Sequence, residues 1–187
     1  MSTGTIIGII LVVLVVLVAV ALLVRKSLQR KRLRERFGPE YERVVQRTDN
    51  RMVAERELAE REREHSKLEL RQLTPASRDS YERNWTSVQE QFVDSPSAAV
   101  GQADRLVTDL MAERGYPTEG YERQASLLSV EHARAIEHYR EAHEISQRHE
   151  RGDASTEDLR NAMVHYRALF EDLLGDRHEG GRREGAR

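Results

Sequence analysis

The chain contains no cysteine, which excludes disulfides, thiolate zinc sites and thiol catalysis. Lysine is scarce as well. Of the 30 basic residues only Lys26, Lys31 and Lys67 are lysine, an arginine bias expected of coding in a GC-rich genome. No stretch alternates apolar and polar residues with period two over a useful length, so strands are not expected. Gly-rich phosphate loops of the Walker or dinucleotide type are absent, and so is a GxSxG nucleophile elbow. No internal repeat is evident. Carboxylates are plentiful, but they alternate with arginines on helical faces. That is the pattern of solvated ion pairs, not of a paired acid and base in an apolar pocket. These absences argue against an enzyme, and neither a catalytic residue nor a cofactor is assigned.

What stands out is residues 6–24, IIGIILVVLVVLVAVALLV, which hold no charge and no strongly polar side chain. At about 1.5 Å rise per residue a helix of this run is roughly 28 Å long. A bilayer's hydrocarbon core is about 30 Å thick. A cleaved signal peptide is the rival reading, with Ala19-Val20-Ala21 resembling a cleavage site. However, residues 1–5 carry no basic side chain, and Leu22, Leu23 and Val24 continue the apolar run. The expectation is a transmembrane helix at 6–24, followed by a basic juxtamembrane segment at 25–38.

Seven basic residues and one acidic residue, Glu35, lie between 25 and 36. Basic flanks are retained in the cytoplasm, so residues 1–5 are expected on the outer face of the plasma membrane and the rest inside. Arg25, Lys26, Arg30, Lys31 and Arg32 are candidate contacts for anionic lipid headgroups. Outside 25–36 there remain 23 basic and 31 acidic residues, a balance of −8. An acidic domain repels phosphate, so nucleic acid is not an expected partner. The expected partners are membrane lipids and either a further protein or a second copy of the chain.

After the anchor the reading is all-α: a long charged helix and then an antiparallel helical bundle over 39–174. Gly38-Pro39 interrupts the helix leaving the membrane, and Pro39 fits the first turn of a new one. That helix is expected to run to about Leu73. Tyr41, Val45, Thr48, Met52, Ala59, Leu70 and Leu73 form its stripe, and a fully charged, exposed middle spans AERELAEREREHSK. Thr74-Pro75 starts the next helix. There Tyr81, Trp85, Val88 and Phe92 form one apolar face, read as core. Asp94-Ser95-Pro96 opens another, carrying Ala99, Ala103, Leu106, Val107, Leu110 and Met111 and stopped by Gly115 and Pro117. A short helix is expected from Glu119 to Leu128, and one capped by Ser129 that runs to Arg151. A capping box at Ser155-Thr156-Glu157-Asp158 introduces the last helix, with Leu159, Met163, Tyr166, Leu169, Phe170 and Leu173 on its apolar face. Residues 175–187 are expected to be a disordered tail.

Histidine is the remaining source of chemistry. His132, His138, His143 and His149 are expected on one helix, where no pair has the i, i+4 spacing of HExxH. Eleven residues separate His132 from His143, about 16 Å along the axis. Glu-x-x-His occurs once, at Glu62–His65, where a di-iron bundle needs it twice. A metal- or haem-binding bundle would therefore need histidines from different helices, for example His132 and His165. It is the alternative to an interaction or scaffolding module. A third reading keeps the same helical domain but exports it to the extracytoplasmic side.

The segments FGPEYERV (37–44), FVDSPSAAVGQADRLVTDLMAERGYP (92–117) and STEDLRNAMVHYRALFEDLL (155–174), taken together, resemble a family of small bacterial proteins most familiar from actinobacteria. Its members have one N-terminal hydrophobic segment and a helical domain. The resemblance implies that architecture and a bacterial origin, and it brings no activity, cofactor or site residue.

Overall fold

The computed structural model describes residues 3–175, with side chains from residue 11 onward. Among the described residues the chain is all-helical. It divides into two compact units, Met1–Leu58 and Ala59–Arg187. The expected tail beyond Gly175 and residues 1–2 lie outside the described residues.

In the first unit α1 (Thr3–Phe37) is one continuous helix through the apolar run and the basic flank. Leu11 to Val24 are exposed throughout, Leu23 by 68%. The helix is long and apolar enough to cross a membrane. Gly38, at a φ of 47°, ends it, and Pro39 opens α2 (Pro39–Thr48) as expected. Only toward the end of the basic flank does α1 acquire a buried face, at Leu33 and Phe37, four residues apart. Tyr41 and Val44 of α2 are buried as well.

The long helix expected from Pro39 to Leu73 is instead two helices and an extended segment. Asp49 takes a left-handed conformation, φ 49°, and closes α2. Asn50 then caps α3 (Arg51–His65), its Oδ1 accepting from Met52 N at 2.9 Å. The charged middle is not solvated all round. Ala54, Leu58, Arg61 and His65, spaced 4, 3 and 4, are buried. Met52, placed on the expected stripe, is exposed. After His65 the chain leaves the helix, and residues 66–74 form a turn and a coil.

The second unit is a bundle. Thr74 caps α4 (Pro75–Asp94) through Ser77 N, and Ser95 alone separates α4 from α5 (Pro96–Arg114). Such a short link makes the two antiparallel neighbours. Ser95 offers no side-chain cap to α5; its own N–H instead bonds Gln91 O. The helix α6 (Tyr121–Leu128) is followed by α7 (Ala135–Glu150) and α8 (Thr156–Leu174), and α7 and α8 pair along their length. The Ser155–Asp158 capping box forms reciprocally.

The core gathers Trp85 and Val88 of α4, Leu106, Val107, Leu110 and Met111 of α5, Ile136 and Tyr139 of α7, and the whole expected face of α8. Trp85 stacks on Phe170, 4.7 Å between centroids. Tyr81 and Phe92 sit at the margin, half-buried.

Two details explain why residues 66–74 are not helical. Arg71 N donates to Arg114 O at 2.9 Å, and the Glu69 backbone lies against Gly115, whose φ is 92°. The segment is laid along the end of α5, and Leu68, Leu70 and Leu73 pack on the core from there. The end of α8 is likewise held from outside. Arg114 Nη1 donates to Leu173 O at 2.8 Å, and Arg78 Nη1 to Gly175 O at 2.7 Å. The last carbonyls of a helix have no partner within it, so these arginines supply one.

Candidate functional site

The five expected headgroup contacts, Arg25, Lys26, Arg30, Lys31 and Arg32, are all exposed on α1. Part of their charge is matched within the first unit. Arg30 Nε pairs with Glu55 at 2.8 Å, and Lys31 lies 3.8 Å from Glu35. Further along, Arg34 pairs with Glu42, and its guanidinium lies 5.7 Å from the Tyr41 ring centroid. Burial pushes the Glu55 carboxyl up, but hydrogen bonds from Arg30 and Tyr41 outweigh it and hold the group below its ordinary range. Within the basic flank, then, Arg30, Lys31 and Arg34 already face carboxylates, while Arg25 and Lys26 stand nearest the apolar run.

Of the four histidines expected on one helix, His138, His143 and His149 do share α7, and His132 does not. Ser129 does not cap α7. Its hydroxyl donates to Ser126 O at 2.6 Å and accepts from Arg61 Nη1 at 3.1 Å. Residues 129–134 form turns, and His132 lies in them, its carbonyl accepting from Ala135 N and Ile136 N. From that position its Nδ1 meets Asp172 of α8, and its ring stands edge-on to Tyr116, 5.9 Å between centroids. His132 Nε2 is buried, with no hydrogen-bond partner among the described residues. His65, also buried, lies 3.9 Å from Glu131. His143 stacks flat on Tyr121 at 3.8 Å, and His149 meets Ser97.

The pairing that sequence reasoning missed is His138 with His165. These residues, 27 apart in sequence, bring their Nδ1 atoms within 3.0 Å across the α7–α8 interface. Glu141, one helical turn beyond His138, places Oε2 2.8 Å from His165 Nε2. One ligand atom from each of the three can be chosen so that all lie within 4.8 Å of one another. His165 therefore meets His138, not His132. The one legible signal was the i, i+3 relation of His138 and Glu141, which puts them on one helix face.

The buried tyrosines do structural work. Tyr166 donates to Asp104 Oδ1 at 2.8 Å, and Tyr139 to Gln124 Oε1 at 3.1 Å. Burial pushes the hydroxyls of Tyr116, Tyr139 and Tyr166 well up, so they stay protonated. Tyr81 is pushed up to about 12, by burial first and then by Glu113.

No family model, curated protein or solved structure matches the chain.

Proposed function

We propose that the chain is a single-pass membrane protein that holds an acidic helical domain at the cytoplasmic face and acts there as an interaction or scaffolding module. One observation carries this reading: α1 is apolar on every side from Leu11 to Val24, exposed throughout, and followed at once by Arg25 and Lys26. An apolar surface of that extent is unusual for a protein that stays in water. Inside a bilayer the same surface is solvated, and the helix satisfies its own backbone. The basic flank sets the orientation, with residues 1–5 outside. Arg25 and Lys26 lie at the headgroup layer and contribute most, and Arg30, Lys31 and Arg32 reach back toward it with side chains that lean to the helix N-terminus. The acidic surface of the helical domain then faces a protein partner or a second copy of the chain.

The absence of cysteine makes the test clean. The full chain carries a single Ser2→Cys or Asp153→Cys substitution and is probed in spheroplasts with a membrane-impermeant maleimide. The expected result is labelling of Ser2→Cys in intact spheroplasts, and of Asp153→Cys only after permeabilisation. The reverse pattern overturns the orientation and favours the exported domain. Release of the protein from membranes by alkaline carbonate overturns the anchor. Crosslinking in the membrane should then retrieve a partner or a dimer, and a monomer with no crosslinked product counts against the scaffolding role.

A further inference from the structure

We propose that His138, Glu141 and His165 form a binding site for one divalent transition-metal ion of the zinc type, bridging α7 and α8. The argument begins with the donor set. Two imidazoles and a carboxylate are the ligands that zinc and its neighbours take, whereas magnesium and calcium prefer oxygen alone. Metal–nitrogen distances of about 2.0–2.1 Å put two nitrogens of a tetrahedral site about 3.3 Å apart. The facing Nδ1 atoms of His138 and His165 are 3.0 Å apart. Both rings lie close together, 5.2 Å between centroids and inclined by 29°.

Two of the ligands share one helical face and the third comes from the neighbouring helix. Glu141 currently faces the far nitrogen of His165, Nε2, at 2.8 Å. A single ion takes one nitrogen from each ring. Its binding therefore requires Glu141 to swing or the His165 ring to turn. Glu141 is half-exposed, its side chain 49% accessible, so the rotation meets little packing resistance. The same three groups can instead share protons, in a chain from His138 through His165 to Glu141. Metal and protons then compete for one set of lone pairs, and binding releases protons. Three protein ligands leave a fourth position for water. The packed backbones of α7 and α8 fix the spacing, so the ion clips two helices that already pair.

The full chain, purified in a non-ionic detergent through a histidine-free tag, is titrated calorimetrically with zinc chloride. The expected result is one tight equivalent. His138→Ala and His165→Ala should each weaken it at least about tenfold, since even partners one shell further from a metal cost that much. Glu141→Gln weakens it less, and His149→Ala leaves it unchanged. Zinc should also raise the thermal midpoint of the parent chain and not that of His165→Ala. Circular dichroism confirms that each variant keeps its helicity. Zinc bound equally by all variants marks adventitious histidine binding and overturns the proposal. So does the lack of a saturable equivalent below about 100 µM. The readout is independent of membrane orientation.

Discussion

Helices α1 and α8 are both rich in apolar residues, and they meet opposite fates. In α8 those residues recur at spacings of three and one. Leu159, Ala162, Met163, Tyr166, Leu169, Phe170, Leu173 and Leu174 are all buried, and of its large aliphatics only Val164 faces out. In α1 they go all round, and Leu11 to Val24 stay exposed. The contrast teaches that apolar content does not make a core. An amphipathic stripe gives neighbouring helices one face to cover. A helix apolar on every side has no polar face to turn to water, so it needs an apolar surrounding along its whole circumference.

The same substitution in both helices tests this most severely. Leu169→Arg places an unpaired charge in the core of the bundle and should abolish its cooperative unfolding, followed by the fluorescence of Trp85, the chain's sole tryptophan. Leu14→Arg should leave that transition within about 0.5 kcal/mol and instead disfavour membrane insertion by about 2.5–3.5 kcal/mol. An insertion assay measures the latter. Equal damage to the bundle from both would break the comparison. Truncation is gentler. Leu169→Ala should cost about 2–5 kcal/mol in urea unfolding, against less than about 0.5 kcal/mol for Leu17→Ala.

The ends of the elements sharpen the contrast further. A Cβ on Gly115 would come within 2.5 Å of Glu69 O, at a φ that disfavours any side chain. Gly115→Ala should therefore destabilise the bundle by at least about 1 kcal/mol. Adding a Cβ at Gly38, which meets nothing within 4 Å, should disturb only the φ preference at the end of α1. Ser155→Ala should cost about 1 kcal/mol through loss of the cap. That effect carries a pH signature. Hydrogen bonds from the Ser155 hydroxyl and backbone, and then from Arg148, hold the Asp158 carboxyl at about 2. An unfolded Asp titrates near 3.9. The stabilisation is thus complete above about pH 4 and fades as pH falls toward 2. Removing the hydroxyl should raise the Asp158 midpoint and flatten this part of the stability profile. Carboxylate NMR titration would show either outcome.

The elements legible in the sequence were those where one local signal met no competitor. The α8 stripe, its capping box, the aromatic face of α4 and the Gly38-Pro39 break all took the form their residues specify. The misread parts depend on contacts from afar. Residues 66–74 carry helix-forming Glu, Leu and Arg, but their backbone is claimed by Arg114 O and by the gap above Gly115. Ala54, Leu58, Arg61 and His65 hide a buried face inside a charged run, because the arginine and histidine occupy core-facing positions with polar ends. At Asp49-Asn50 the signal is present, a capping side chain after a residue tolerant of positive φ, but the apolar stripe of Tyr41, Val45, Thr48 and Met52 continues across it and masks the break. The α7–α8 cluster needed tertiary information. Nothing in the spacing of His138 and His165 anticipates a contact across 27 residues.

The bend at Gly38 has one more consequence. On the membrane reading, residues 25–37 continue the anchor as the same rigid rod for about 20 Å. The polar headgroup layer on one side is only about 5–8 Å deep. If the rod stands upright, Gly38 and Pro39 lie beyond the lipids altogether. The basic stretch of α1 then acts as a stilt, which sets a fixed clearance between the bilayer and the first turn of α2.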